Sequence, residues 1–295
     1  AMPTLTESHR RVADYVLAHP LQVATLPIDE LAATAGVSLA TANRFARALG
    51  FDGYPQFRAA LVLGFESTLA PVERLRSKLE RPASVGAVFD SALAEIERNL
   101  AATRQSLDPE ACRRAVAAIL KAQRIVVVGF GSSAWLGGLL QRNLDVYCDN
   151  VQLLASIESS SYAARVMTRL KPSDLVIAIA VPRYFADTVM LSRRARDAGV
   201  PLIAITDRPT SPLAPLATVA LYVHSESSYF ASSEASVLPL IEALCSAVAH
   251  SAKGSVKSAA RLAESVLPWL DTAQAGRVRA QSAAPAPRRA RKARP

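Results

Sequence analysis

The sequence predicts a small all-α domain followed by an α/β domain built on a five-stranded parallel sheet. The first 65 residues carry short amphipathic patterns with the spacing of helices. From residue 124 onward, short β-branched apolar runs alternate with helical patterns, which is typical of a parallel sheet covered on both faces. A chain of 295 residues that is 51% apolar has room for two domains and enough apolar surface for a core.

The N-terminal helices follow from apolar spacing and from helix-ending residues. Residues 6–18 form an amphipathic pattern that Pro20 ends. The stretch Ile28–Phe51 predicts two short helices around a tight turn at Gly36, where a residue without a side chain lets the chain bend. A last helix is predicted over about residues 54–65.

A connector and the alternating region complete the chain. Pro71, the charged run Glu73–Arg81 and Pro82 predict the connector. We predict the following helices and strands beyond it: helices over about 85–104, 109–122, 133–147, 160–170, 186–198 and 234–251, and strands over 124–128, 151–154, 174–181, 201–206 and 219–224.

The second helix of the turn motif has an apolar face and an opposite polar, cationic face. Ala42, Phe45 and Leu49 recur at helical spacing, and Ser38 is suited to cap the helix. A short helix that shows cationic side chains outward after a tight turn is typical of a helix-turn-helix DNA reader. The alternative is a helical hairpin with a solvated charged face. The DNA-binding candidates are Ser38, Ala40, Thr41, Asn43, Arg44 and Arg47.

Candidate ligand residues follow three strands of the predicted sheet, where such sheets bind ligands. The first strand runs into the sequence GFGSS at 129–133, whose backbone N–H groups and hydroxyls suit an anion. It is neither a dinucleotide fingerprint nor a Walker loop. An arginine leaving the third strand would grip a carboxylate or phosphate. The ligand-binding candidates are Gly131, Ser132, Ser133, Arg183, Tyr184 and Asp207, the last three having packing, surface or turn-capping roles as alternatives.

Composition excludes several classes of protein. No run of 18 apolar residues predicts a membrane span, and no signal-peptide pattern opens the chain. Three scattered cysteines and four histidines without ligand spacing argue against disulfides, a metal site or a cofactor, and fit the cytoplasm. The net charge of +9 is mostly that of residues 272–295, an Ala/Pro/Arg-rich tail with seven Lys or Arg and no acid.

Several runs make the chain similar to the RpiR family of bacterial transcription regulators. The N-terminal runs are LTESHRRVADYVLAHP, IDELAATAGVS and ATANRFARALGFDGYPQF, and residues 124–250 resemble the sugar isomerase (SIS) domain of that family. The resemblance implies a winged-type helix-turn-helix domain and a flavodoxin-like domain that dimerises and senses a metabolite, often a sugar phosphate. Family members that bind sugar phosphates usually carry S-x-S-G-x-T after the third strand. Residues 180–185 read AVPRYF instead, similar to a subset with F-P-R-Y-S.

We therefore predict a cytoplasmic transcription regulator, not an enzyme, that binds a double-stranded operator and a small anionic effector as a homodimer or homotetramer. Its predicted parts are a helix-turn-helix domain (1–78), a connector and leading helix (79–108), the SIS domain (109–255), a C-terminal helix (256–271) and a disordered tail (272–295). One alternative is a sugar-phosphate isomerase with an appended helical module, for which His224 and Glu234 are acid–base candidates, a capping or surface role being the alternative for both residues. Another is a scaffold whose helical domain binds protein.

Overall fold

The computed structural model describes residues 6–64, 66–155 and 160–269. It contains a helical domain, a pair of linking helices and an α/β domain. The predicted basic tail at 272–295 lies outside the described residues. The helices of the helical domain are α1 (Glu7–Ala18), α2 (Pro20–Thr25), α3 (Ile28–Thr34), α4 (Leu39–Ala48) and α5 (Tyr54–Gly64).

The helical domain packs around one small aromatic and aliphatic core. Val12, Val23, Leu31 and Phe45 are buried in it together with Phe57. Pro20, predicted to end the first helix, also opens the short helix α2, because proline suits the first helical position. The described residues of this domain contain helices and turns but no strand, so they do not form the wing that the family resemblance implied.

Two helices link the helical domain to the α/β domain: α6 (Glu66–Leu79) and α7 (Val85–Ser106). The charged run that was predicted as a connector is therefore helical, with Pro71 inside α6. An ion pair between Arg76 and Glu73 at 2.9 Å supports it one turn apart. α7 is tied to the α/β domain by the side chain of Asn99, whose Nδ2 donates to the Glu226 carbonyl at 2.8 Å.

The α/β domain has three layers, with helices on both faces of a parallel sheet. Its strands are β1 (Ile125–Val128), β2 (Val151–Leu154), β3 (Leu175–Ile179), β4 (Leu202–Thr206) and β5 (Val219–Tyr222). Its helices are α8 (Pro109–Lys121), α9 (Ser133–Leu144), α10 (Ser160–Met167), α11 (Ala186–Asp197), α12 (Glu234–Ser251) and α13 (Ser255–Val266). The sequence predicted the five parallel strands, and the structure confirms them.

The strand order is β2-β1-β3-β4-β5, with every neighbouring pair parallel. This is the flavodoxin-like order, which reverses direction between β1 and β3. Helices α8, α9 and α12 cover one face of the sheet, and α10 and α11 cover the other. The loops after β1 and β3 consequently meet at one edge, where such folds bind ligands.

Among the described helices, none alone is long and apolar enough to cross a membrane. The segments Glu234–Ser251 and Ser255–Trp269 meet that criterion only as a pair bent by 114°. The first of them buries Val237, Ile241 and Val248 in the α/β core, so its apolar face is already covered by protein.

Candidate functional site

The turn between α3 and α4 is built from a left-handed glycine and a serine cap. Gly36 has φ +64, a conformation that side-chain-bearing residues rarely adopt. After it, the Val37 amide donates to the Ala32 carbonyl at 2.9 Å and closes the turn. The Ser38 hydroxyl then accepts from the Thr41 amide at 3.2 Å, which satisfies a free donor at the start of α4. The predicted capping role of Ser38 is therefore present in the structure.

The inner face of α4 fixes its orientation in the domain. Ala42 and Ala46 are fully buried, and Phe45 is 2% exposed. The Phe45 ring meets the Phe57 ring edge to face, with centroids 5.9 Å apart. Edge-to-face contacts of this kind stabilise a pair beyond the apolar area it buries. Rotation of α4 about its axis would expose these side chains, so the face that points to solvent is set by the core.

The outer face of α4 carries three of the six predicted DNA-binding residues as exposed side chains. Ala40, Arg44 and Arg47 are exposed. The Arg44 guanidinium donates to Thr41 Oγ1 at 3.2 Å, and within the described part of the chain no carboxylate pairs with it. Arg47 Nε donates to the Asp52 carbonyl at 3.0 Å, a neutral partner. Both guanidinium charges therefore stay uncompensated on a solvent-facing helix.

Asn43 lies differently from the predicted outward position. Its side chain is half-buried, and Oδ1 accepts the Tyr54 amide at 2.8 Å. Tyr54 is the first residue of α5, whose opening N–H groups need a partner outside the helix. Gly53 precedes it and has no side chain to cap with, and a Cβ built there would stand 2.8 Å from Asn43 Oδ1. Asn43 thus caps a neighbouring helix, and the uncapped Gly-Tyr helix start was the sequence signal for that role.

The structure divides the predicted ligand residues among three clefts formed by described residues. We name the clefts by the side chains that characterise them. The serine–arginine cleft, of about 290 Å³, is lined by Ser132, Ser133, Arg183, Phe185, Phe230, Ser232, Glu234 and their neighbours. The tyrosine–aspartate cleft, of about 560 Å³, is lined by Arg74, Tyr184, Asp207, Arg208, His224, Glu226 and their neighbours. The tryptophan cleft, of about 450 Å³, is lined by Gly131, Trp135, Leu139, Arg142, Leu153 and their neighbours.

The serine–arginine cleft brings together three predicted residues from two loops. Ser132 and Ser133 come from the loop after β1, and Ser133 is buried at the first turn of α9. Arg183 comes from the loop after β3 and is exposed, with no side-chain hydrogen bond or ion pair to any described residue. A helix N-terminus, two hydroxyls and an unpaired guanidinium together suit an anionic group.

Tyr184 and Asp207 face the second cleft and bond to each other. The Tyr184 hydroxyl donates to Asp207 Oδ1 at 2.5 Å, and Arg208 Nε donates to Asp207 Oδ2 at 2.6 Å. Burial, and then the hydrogen bond to the Asp207 carboxylate, raise the pKa of Tyr184 above its usual value. The tyrosine is therefore a neutral hydroxyl donor throughout the physiological range. The Asp207 carboxylate already accepts from three side chains, the third being the Thr206 hydroxyl at 3.4 Å.

Gly131 contributes space where the chain passes close to an aromatic ring. It has φ +62, and a side chain at this position would collide with the ring of Phe185. The Phe185 ring therefore covers the loop after β1, in a place that only glycine leaves open. Gly131 lines the tryptophan cleft, so the structure does not bring it to the same surface as Arg183.

The segment between β5 and α12 supplies lining residues that the predicted set omitted. Phe230, Ser232 and Glu234 line the serine–arginine cleft, whereas His224 lines the tyrosine–aspartate cleft. The sequence of this segment, HSESSYFASSE at 224–234, is polar and rich in serine, as a segment lining a ligand cleft often is. The two acid–base candidates, His224 and Glu234, thus belong to different clefts.

Arg74 of α6 is a contact that no sequence signal singled out. Its Nε donates to the Ser227 carbonyl at 2.9 Å, and a second guanidinium nitrogen donates to the Ala231 carbonyl at 3.4 Å. Both acceptors belong to the segment that lines the serine–arginine cleft. The helix that follows the helical domain is therefore bonded to a wall of the candidate ligand site.

Two protein families match this chain. Residues 1–67 match the helix-turn-helix domain of the rpiR family, and residues 118–251 match the SIS domain.

Characterised relatives align over most of the chain. The HTH-type transcriptional regulator HexR of Escherichia coli is 30% identical over 226 residues, which cover 74% of this chain and 73% of that protein. HexR of Pseudomonas aeruginosa is 27% identical over 219 residues, with 74% of each chain covered.

Solved structures share the same architecture. The sugar isomerase domain of an RpiR transcription factor from Sphaerobacter thermophilus is 28% identical and covers 59% of this chain and 96% of that one, with a TM-score of 0.56. The Vibrio vulnificus NanR protein, complexed with ManNAc-6P, is 24% identical and covers 91% of this chain and 96% of that one, with a TM-score of 0.58.

Proposed function

The chain belongs to the RpiR family of helix-turn-helix transcription regulators that carry a SIS domain, and on that premise we propose how it works. It binds operator DNA through the exposed face of α4 and senses a small anionic metabolite in the serine–arginine cleft. The observation that carries the first part is the pair of unneutralised guanidinium groups, Arg44 and Arg47, on a helix whose other face is locked into a core.

In the DNA complex, α4 lies in the major groove with its first turns toward the base edges. Arg44 and Arg47 contact guanine edges or phosphates, and Ser38, Ala40 and Thr41 line the approach to the backbone. The positive end of the helix dipole at Ser38 adds attraction for phosphate.

Alanine substitution of Arg44 tests the DNA assignment. We expect Arg44→Ala to weaken binding to an operator selected from random DNA by about 1–3 kcal/mol if the side chain reads a base. Arg76→Ala is the matched control, because Arg76 lies on α6 and is ion-paired with Glu73. Undiminished footprint protection by Arg44→Ala would remove this residue from the interface.

The effector is an acidic small molecule, and Arg183 is the residue we propose grips it. Ser132 and Ser133 supply hydroxyls, but the loop after β3 offers an arginine where sugar-phosphate binders of the family usually offer serines. ManNAc-6P, which the NanR structure contains, is a phosphorylated sugar and suits a site with this charge. A carboxylate would satisfy the same guanidinium.

Isothermal titration with a panel of phosphosugars and carboxylates tests the effector site. We expect at least one acid from the panel to bind, and Arg183→Ala to weaken it about tenfold or more, the range for a lost hydrogen bond to a charged group. Lys171→Ala is the control, since Lys171 precedes β3 at the opposite end of the strand. Unchanged affinity in Arg183→Ala would contradict the assignment.

We propose that the α/β domain binds its ligand without catalysing a reaction on it. Isomerisation of a sugar phosphate needs an acid and a base beside one carbon, and His224 and Glu234 line separate clefts. Turnover of an aldose–ketose phosphate pair by the purified chain would revive the enzyme alternative. Retention on heparin that vanishes when 272–295 are removed would favour the protein-binding scaffold.

The chain acts as a homo-oligomer in the cytoplasm, where operator DNA is located. Val85, Phe89 and Leu93 form an exposed apolar stripe along α7 at four-residue spacing, which supports self-association. Two chains would present two copies of α4 to half-sites one helical turn or a multiple apart. Sedimentation of a Phe89→Glu variant as a monomer would identify this stripe as part of the interface.

A further inference from the structure

We propose that Tyr184, Asp207 and Gly131 do not touch the effector but hold the loop that presents Arg183 to it. This inference rests on the proposed effector site and refines it. It assigns positioning roles to Tyr184 and Gly131, whose neighbours in the sequence line the serine–arginine cleft, and to Asp207, to which Tyr184 is bonded.

The first observation is that no contact of the Arg183 side chain with the described residues fixes its position. Its side chain is exposed and makes no hydrogen bond or ion pair with the residues that the structure describes. A free arginine side chain has about 2 kcal/mol of rotamer entropy to lose when it binds. The backbone that carries it must therefore be placed by other contacts if the guanidinium is to meet an anion in the cleft.

The second observation is an anchor directly after Arg183. The Tyr184 hydroxyl donates to Asp207 Oδ1 at 2.5 Å. The Asp207 side chain is only 7% exposed and is held by Arg208 at the end of β4. Asp207 thus joins the loop after β3 to the edge of the neighbouring strand, through an acceptor that cannot move freely.

The third observation is a packing contact that limits movement of the loop on its other side. The Phe185 ring lies against Gly131, where any side chain would collide with it. Tyr184 is therefore hydrogen-bonded to Asp207 at the end of β4, whereas Phe185 packs against the loop after β1. Arg183 precedes both contacts, and its backbone is constrained between them and the buried end of β3. Such support of a binding side chain by its surroundings is what reduces the entropy lost on binding.

A double-mutant cycle with inorganic phosphate as the probe separates positioning from contact. We expect Tyr184→Phe to weaken phosphate binding about five- to tenfold, the effect of one lost hydrogen bond. In the Arg183→Ala background the same change should alter the affinity less than about twofold, since nothing remains to be positioned. Tyr222→Phe on β5 is the control that removes a tyrosine hydroxyl from the same sheet without touching this loop.

Hydrogen exchange of the unliganded full-length chain gives a second, ligand-free measurement. Tyr184→Phe should speed exchange of the first bonded amides of α11, beginning with Val189, whose N–H donates to the Phe185 carbonyl at 3.3 Å, while the amides of β3 and β4 keep their wild-type protection. Asp207→Asn keeps an oxygen acceptor and should have a smaller effect than Asp207→Ala. Gly131→Ala should speed the same amides by displacing Phe185.

The outcomes distinguish this inference from the proposed function. An equal loss of affinity in both backgrounds would mean that Tyr184 touches the ligand, and would overturn the positioning role. Unchanged exchange in Tyr184→Phe and Asp207→Ala would show that the loop is held by something else, and would overturn it as well. Absence of phosphate binding by the wild type, with exchange responding as expected, would contradict the proposed anion site but leave the loop contacts established.

Discussion

Replacing Asn43 by alanine separates a structural role from a DNA-reading role at one position of α4. A predicted recognition helix with an asparagine near its centre invites the interpretation that the amide binds adenine. In the structure the side-chain oxygen of Asn43, Oδ1, instead accepts a hydrogen bond from the backbone N–H of Tyr54 at 2.8 Å. Asn43→Ala should therefore destabilise the helical domain and leave the DNA affinity of the folded molecules unchanged.

The magnitude follows from what the substitution leaves behind. The Tyr54 amide would lose its acceptor beside a tyrosine that is 3% exposed, and the neighbouring Gly53 cannot supply another. Loss of a helix-capping side chain costs about 0.5–2 kcal/mol, and an unsatisfied buried donor about 1–3 kcal/mol. We expect about 1–2 kcal/mol, because the site is half-exposed and water restores part of the bond. A domain of this size would melt roughly 4–16 °C lower.

Hydrogen exchange of the α1–α5 amides in the full-length chain measures this cost directly. A loss of about 1.4 kcal/mol corresponds to a tenfold faster opening of the domain. Asn43→Asp is the matched variant, because a carboxylate keeps the acceptor oxygen and suits the start of α5. Wild-type exchange in Asn43→Ala together with a tenfold loss of operator affinity would refute the capping argument and restore Asn43 as a base contact.

Two further predictions concern the link between the domains and the response to alkaline pH. Arg74→Gln should retain the affinity for the effector and the affinity for the operator, but each ligand should no longer change the affinity for the other. A coupling of about 5–150-fold should fall close to one, because Arg74 bonds α6 to the wall of the proposed ligand cleft. Arg76→Gln, on the same helix, should keep the coupling. Burial raises the pKa of Cys148 and of Cys245 to about 11, so both thiols are neutral in the fold over a range in which an unfolded chain ionises. Stability should be full below about pH 8.5 and fall as the pH rises toward 11, and urea midpoints for Cys245→Ala should fall less steeply over that interval.

The sheet and the orientation of α4 were predictable because each follows from local patterns. Five continuous apolar runs predicted the five strands, since a strand covered on both faces needs no alternation. The spacing of Ala42 and Phe45 predicted the buried face of α4 and hence the exposure of Arg44. The family resemblance pointed to the same two domains, and the matches to the rpiR and SIS families confirm it.

What escaped the sequence depends on where neighbouring segments lie in space. Helical periodicity gives a direction to within a fraction of a turn, and Asn43 lies at the boundary of the polar face, where the start of α5 decides its partner. The division of the ligand candidates among three clefts depends on how the loop after β3 turns, and therefore on Tyr184 and Asp207. The helix across Pro71 was hidden because proline and charge are equally typical of linkers.

The exposed face of α4 is small, and its size limits the length of DNA sequence that one copy of the helix can distinguish. In the proposed DNA complex, Ala40, Arg44 and Arg47 contact roughly three or four base pairs, and a sequence that short recurs many times in a chromosome. A regulator must discriminate its operator from about a million or more competing non-specific DNA sites. Selectivity must then depend on how many helical domains bind the DNA together and on the distance between them. Any change in the geometry between copies would therefore change which genes are regulated.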